Sequence, residues 1–224
     1  MGRGYPGPEQ GTHRPTTVPG VLARTRPGTG DVLRLVAELV DGGFSVALER
    51  VPGDAVAAVL ARLAEAGLGG HCEVTLPVER SEQALPPADV GPSIALAGPR
   101  DAVTAAAARL PGARVVVPAP DGESWCRDLA DGRVRLTSGR GARADLAFVR
   151  CLNVLMAGGG QPAVATTDPR LVAIAGERAA WNDRTPDSWE HVMPYGVRLH
   201  DQRRLVAAGY RVRVAVRAGR GACP

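Results

Sequence analysis

Short apolar runs alternate with amphipathic runs along most of the chain. DVLRLVAELVDGG (31–43) carries apolar residues at helical spacing, with Asp31 positioned to cap it and glycines to stop it. FSVALERV (44–51) then reads as a strand, and GDAVAAVLARLAEAG (53–67) as a helix closed by glycine. HCEVTLPVE (71–79) is a strand followed by a Pro-rich stretch with little helix. Further strands are expected at SIALAG (93–98), ARVVVPAP (113–120), RVRLTSG (133–139), PAVATTD (162–168), SWEHVMPY (188–195) and RVRVAVRA (211–218). Helical runs separate them at 99–110, 123–130, 144–160, 169–181 and 200–210. About eight strands, most followed by a helix, give the rhythm of a parallel sheet in an α/β protein. Eight repeats favour a (β/α)8 TIM-type barrel over an open doubly wound sheet. Only six residues follow the last strand, so the barrel is expected to lack its last helix or to be closed by another segment, such as the N-terminal helix.

Residues 1–30 have no apolar period and are rich in Gly, Pro, Thr and Arg, which reads as a disordered or loosely attached tail before a barrel domain at 31–224. The chain has 224 residues, enough for one domain with a sizeable core. Aromatics make up only 4% of it, so the core is expected to be assembled from many small aliphatic contacts. All 27 basic residues are arginine, which leaves no lysine to act as base, Schiff-base former or phosphate ligand. The net charge of +4 is mild and the arginines are scattered apart from RVRVAVRAGR, where their alternation with valine fits a half-buried strand. Nucleic acid is therefore not an expected partner. Cys72, Cys126, Cys151 and Cys223 show no CxxC spacing, and His13, His71, His191 and His200 show no metal-ligand spacing, so no metal site is signalled. No apolar run is long enough to span a membrane and the start of the chain does not read as a signal peptide; a cytoplasmic protein is expected.

In a (β/α)8 barrel the chemistry sits at the C-terminal strand ends. Those ends are Glu49 and Arg50, Glu79, Pro99, Pro118 to Asp121, Ser138 to Arg140, Thr166 to Asp168, Pro194 to Tyr195, and Arg217. The ring is rich in Pro, Gly and Ala and thin in acids and bases. Thr166, Thr167 and Asp168 offer hydroxyls and a carboxylate to a ribityl, ribose or substrate group, or else Asp168 caps the next helix with Pro169 in its first turn; the cap is favoured. SGRG (138–141) suits a phosphate cradle helped by Arg140 or a plain turn, with the turn favoured. Glu190 and His191 suggest an acid/base pair, but strand neighbours point to opposite faces. HDQRRL (200–205) reads as a solvated helix face with an Asp cap.

ESWCRDLADGRVRLTSG, VRCLNVLMAGGGQPAVATTDPRLVAIA and TPDSWEHVMPYGVRLHDQRRLVAAGYRVRV follow one another in an order and spacing that resembles proline dehydrogenase, in its single-function bacterial form. The resemblance runs from about Glu123 to Gly219; residues 31–120 match in rhythm only. It implies a (β/α)8 flavoprotein that takes FAD as cofactor and oxidises L-proline to pyrroline-5-carboxylate, with proline or an analogue as its small-molecule partner. It also implies that Arg213, Gly139, Thr166 and Asp168 are the cofactor-binding positions. The departures fall where the chemistry belongs. Ser138 stands at the family's lysine, Thr167 at its histidine, Val192 at its glutamine, and Ala215 and Ala218 at tyrosines. No residue is therefore assigned a catalytic role. The expectation is the family fold with impaired or lost catalysis; the alternatives are a non-catalytic binding protein on the same barrel, or an active flavoenzyme with another substrate.

Overall fold

In the computed structural model, which describes residues 29–84, 91–120 and 122–218, eight parallel strands close into a barrel in sequence order. They are β1 (Ser45–Glu49), β2 (Cys72–Pro77), β3 (Ser93–Ala97), β4 (Arg114–Pro118), β5 (Arg133–Thr137), β6 (Gln161–Ala165), β7 (Glu190–Pro194) and β8 (Arg211–Arg217). Seven fall inside the runs anticipated from alternation, β6 begins one residue ahead of its run at Gln161, and β8 pairs with β1 to complete the ring. Of the expected N-terminal tail, residues 1–28 lie outside the described residues, and α1 already begins at Thr29.

The helices are α1 (Thr29–Asp41), α2 (Val56–Glu65), α3 (Arg100–Arg109), α4 (Glu123–Asp128), α5 (Ala142–Ala157), α6 (Pro169–Trp181) and α7 (Leu199–Ala207). Between β2 and β3 the Pro-rich stretch forms only a short 3-10 segment, Val78–Ala84, among its described residues. No α-helix follows β8 among the described residues. The outer face of β8 is nevertheless covered: Val212, Val214 and Val216 are all buried. Val214 and Val216 share a continuous apolar cluster with Val32 and Val36 of α1 and with Val46 and Leu48 of β1. The turn joining α1 to β1 lies against α7, since a Cβ on Gly43 would stand 3.3 Å from Val206. The N-terminal helix thus fills the place beside β8 and β1 that a helix after β8 would take.

The LMAGGG segment has a packing reason. A side chain on Gly158 or Gly160 would run into the Ala130 and Gly132 carbonyls of the turn between α4 and β5. Arg184 completes that end of the barrel by donating to the carbonyls of Leu155, Met156, Gly158 and Gly160, which the end of α5 leaves open.

Candidate functional site at the barrel mouth

Alternation sends every second residue of each strand into the barrel. The inward residues include Glu49, Glu73, Arg114, Arg135, Glu190 and Arg213, and these form one chain of alternating charge. Arg135 donates to Glu73, to Thr75 Oγ1 at 3.1 Å and to Glu49 at 3.4 Å. Arg114 donates from Nε to Glu73 at 2.7 Å and from Nη2 to Glu190 at 2.9 Å. Arg213 donates from Nε to the same Glu190 oxygen at 2.9 Å and from Nη1 to the Val46 carbonyl at 3.1 Å. Three carboxylates and three guanidiniums therefore link β1, β5, β2, β4, β7 and β8. Only Glu49, about one-third exposed at the end of β1, meets solvent to any extent.

Burial alone pushes the Glu73 carboxyl up, but Arg114, Arg135 and Arg213 outweigh it and bring the group down to about 2. The Glu190 carboxyl is lowered the same way, burial opposing and Arg213 and Arg114 prevailing. Both remain ionised, as the pairing requires. Glu190 Oε2 and the Nε atoms of Arg135 and Arg133 are buried without a partner among the described residues.

Above this network, alternation places Pro77, Ala97, Pro118, Thr137, Ala165, Pro194 and Ala215 on the inward face at the strand ends. Val192 is inward and buried. The thinness of the mouth seen in sequence is thus present on the inner strand ends, where Glu49 and, beside it at the end of β8, Arg217 are the charged residues.

Of the four positions assigned to a cofactor by resemblance, three meet. Gly139, Thr166 and Asp168 line a cleft of about 490 Å³ between the loops after β5 and β6, together with Ser138, Arg140 and Arg170. Arg213 does not join them; it lies inside the barrel, bound to Glu190 and Val46. Asp168 N-caps α6, accepting from the Arg170 amide at 2.8 Å, with Pro169 in the first turn, and it also pairs with the Arg170 side chain at 3.2 Å. Thr166 Oγ1 accepts from the Asp168 amide at 3.2 Å. At Gly139 an added Cβ would lie 2.7 Å from Ala144 Cβ and 3.3 Å from Pro120, so packing alone requires glycine there.

Glu190 and His191 face opposite sides of β7, as expected: Glu190 enters the network, while the His191 ring lies outside, tilted against Trp189 with 4.5 Å between centroids. The reading of HDQRRL changes in two respects. Gln202 is buried, donating to the carbonyls of Pro194 and Val197, because the loop after β7 folds back over the start of α7. Nor is Asp201 the cap: the N-cap is Arg198, in the left-handed region, and Asp201 pairs with it from within the first turn.

Sequence reasoning assigned no role to Glu73, Arg114 or Arg135. The signal was present for two of them: Glu73 and Arg114 are each the one charge of a largely apolar strand, CEVTL and RVVVP, whereas RVRLT carries Arg133 beside Arg135. A barrel strand is covered on its outer face by helices, so a lone charge in it points inward and needs an opposite charge across the barrel.

No family model and no curated protein matches the sequence. In fold the chain is similar to proline utilization A from Bdellovibrio bacteriovorus, solved after inactivation by N-propargylglycine, with a TM-score of 0.75 at 12% identity over 86% of this chain. It is also similar to a D779Y mutant of proline utilization A from Bradyrhizobium japonicum, with a TM-score of 0.60 at 14% identity over 79% of this chain. A bifunctional proline utilization A protein gives a TM-score of 0.61 at the same identity and coverage. The chain spans between about a quarter and a third of the length of these proteins, 30% of the first and 26% of the others. Its eight-stranded barrel is of the proline utilization A type in fold.

Proposed function

We propose that the chain is a barrel of the proline dehydrogenase type in which catalysis is impaired or lost. Support comes from two directions: the motifs between Glu123 and Gly219 resemble proline dehydrogenase, and solved structures of similar fold include proline utilization A proteins. The reaction implied is the FAD-dependent oxidation of L-proline to pyrroline-5-carboxylate, in a cytoplasmic protein. The observation that carries the loss of catalysis is the inner wall, where the charged groups are engaged in pairing with one another and the residues above them are mainly Pro and Ala.

The residues present do not fit a flavin as the resemblance assigns it. Arg213 holds Glu190 through Nε and the Val46 carbonyl through Nη1, Asp168 and Thr166 build the start of α6, and Gly139 answers to Ala144. Ser138, Thr167 and Val192 replace the lysine, histidine and glutamine that would hold and tune the ring system. A bound proline also needs its reacting carbon fixed in place, commonly by a bidentate arginine clamp on the carboxylate. Arg114 and Arg135, the other buried guanidiniums on the inner wall, are already bonded to Glu73.

The test is the visible spectrum of the purified protein, followed by anaerobic addition of L-proline. A colourless protein that gains no flavin band on incubation with FAD is the expected result. A flavin band that bleaches with proline overturns the proposal. A band indifferent to proline keeps the loss of proline oxidation but leaves a binding role or another substrate for the barrel.

A further inference from the structure

On the outer side of β7, His191 and Met193 point toward α6 and α7. α5 packs along both α4 and α6, whereas α6 and α7 scarcely touch. The gap between them is a groove of about 230 Å³. Its floor is His191 and Met193, its α6 wall runs past Val172 and Gly176, and Leu205 and Tyr210 close the other side.

Three features make it more than a packing gap. His191 is 2% exposed, and its Nδ1 is buried without a hydrogen-bond partner among the described residues, although buried polar atoms are ordinarily paired. Gly176 sits in the interior of α6, where glycine is unfavourable, and a Cβ there would meet nothing within 4 Å; the space beside it is open. At the rim, Asp201 is paired with Arg198, while Arg204 has no partner among the described residues, so the groove has one free positive charge.

We propose that this groove binds a small apolar carboxylic acid whose far end carries a hydrogen-bond donor. The hydrocarbon packs on Met193, Leu205 and the Tyr210 ring, the carboxylate meets Arg204, and the donor reaches the neutral imidazole of His191. The volume suits one ring with two short substituents: an apolar cavity of about 150 Å³ takes up benzene, and this groove is larger. The groove lies outside the barrel, so the inference is independent of what the mouth does.

The probe is 4-hydroxyphenylacetate, titrated into the full chain while the imidazole nitrogen resonances of His191 are followed by NMR. A saturable shift in the millimolar range or tighter is expected. Arg204→Gln should weaken the acid about tenfold while leaving the neutral 4-ethylphenol unchanged. Gly176→Leu, whose Cβ would meet nothing within 4 Å and whose remaining atoms would enter the groove, should abolish both, with circular dichroism and the unfolding midpoint showing that the fold is kept. Absence of a saturable His191 shift overturns the proposal. So does equal loss of acid and phenol in Arg204→Gln, or binding that survives Gly176→Leu.

Discussion

On β2, Cys72, Val74 and Leu76 point outward into the helices, while Glu73 and Thr75 point into the barrel; on β5, Val134 and Leu136 point outward and Arg135 and Thr137 inward. The two faces of the same strands hold together by different means. Outside, apolar area is removed from water, an attraction without direction that tolerates exchange of one aliphatic side chain for another. Inside, each charge is bearable only because specific partners across the barrel meet it, so the inner face is fixed pair by pair. Such a wall has few groups left over for a ligand. The outer wall, by contrast, is where the fold leaves an opening, between α6 and α7.

The largest effect should come from removing one link of the inner chain. Glu73→Ala leaves Arg114 and Arg135 buried beside a missing carboxylate, and the loss should be about 3–5 kcal/mol in a denaturant unfolding curve. On the outer face of the same strand, Leu76→Ala should cost about 2–5 kcal/mol through lost burial and the residual cavity. Leu76→Met should cost under about 1.5 kcal/mol, because volume is conserved. Glu73→Gln keeps the volume of Glu73 and should still be severe. If Glu73→Gln proved as mild as Leu76→Met, shape rather than charge pairing would govern the inner wall.

Acid should separate the two faces by pH. His191, on the outer face, is held by burial at about 4, well below the 6.5 of an unfolded histidine. The unfolded chain therefore binds this proton first, and stability falls as pH drops from 6.5 toward 4, by about 3 kcal/mol. Glu73 stays ionised in the fold to about 2 against 4.5 when unfolded, so its contribution is complete above 4.5 and is lost as pH falls toward 2, again about 3 kcal/mol. His191→Phe should flatten the upper window of a stability–pH profile and leave the lower one unchanged. A profile in which both windows persist would place the upper loss elsewhere.

Much of this was legible beforehand, for a reason visible in particular segments. Strands such as SIALA and QPAVA are short apolar runs bounded by glycine and proline, and α6 announces itself through Asp168-Pro169, so the barrel could be counted off the chain. What pattern does not carry is a partnership across the barrel. Glu73 and Arg114 are 41 residues apart, and Glu190 and Arg114 are 76 apart. A lone charge in an apolar strand signals an inward side, but which opposite charge it meets is set only when the sheet closes. The same holds for Arg184, which reads as a loop residue yet gathers four carbonyls at the end of α5. At the candidate site, sequence placed Gly139, Thr166 and Asp168 near one another through the order of the βα loops. It could not show that Arg213 is already bound by Glu190, because that depends on which way β7 and β8 face.

Two glycines bring the comparison down to single methyl groups. Gly139, in the turn after β5, has its side-chain space already taken by Ala144 and Pro120, and Gly139→Ala should lower stability by about 1–3 kcal/mol, since neither backbone-anchored neighbour yields easily. Gly176 faces the open groove between α6 and α7, and Gly176→Ala should raise stability by up to about 1 kcal/mol, because alanine restricts the unfolded chain and favours the helix without meeting anything. Thermal unfolding of the two variants reads both signs in one experiment. A gain at Gly139 would mean that its turn is loose enough to admit a ligand after all. A loss at Gly176 would mean that α6 and α7 close the groove in solution, and the outer wall would then be as complete as the inner one.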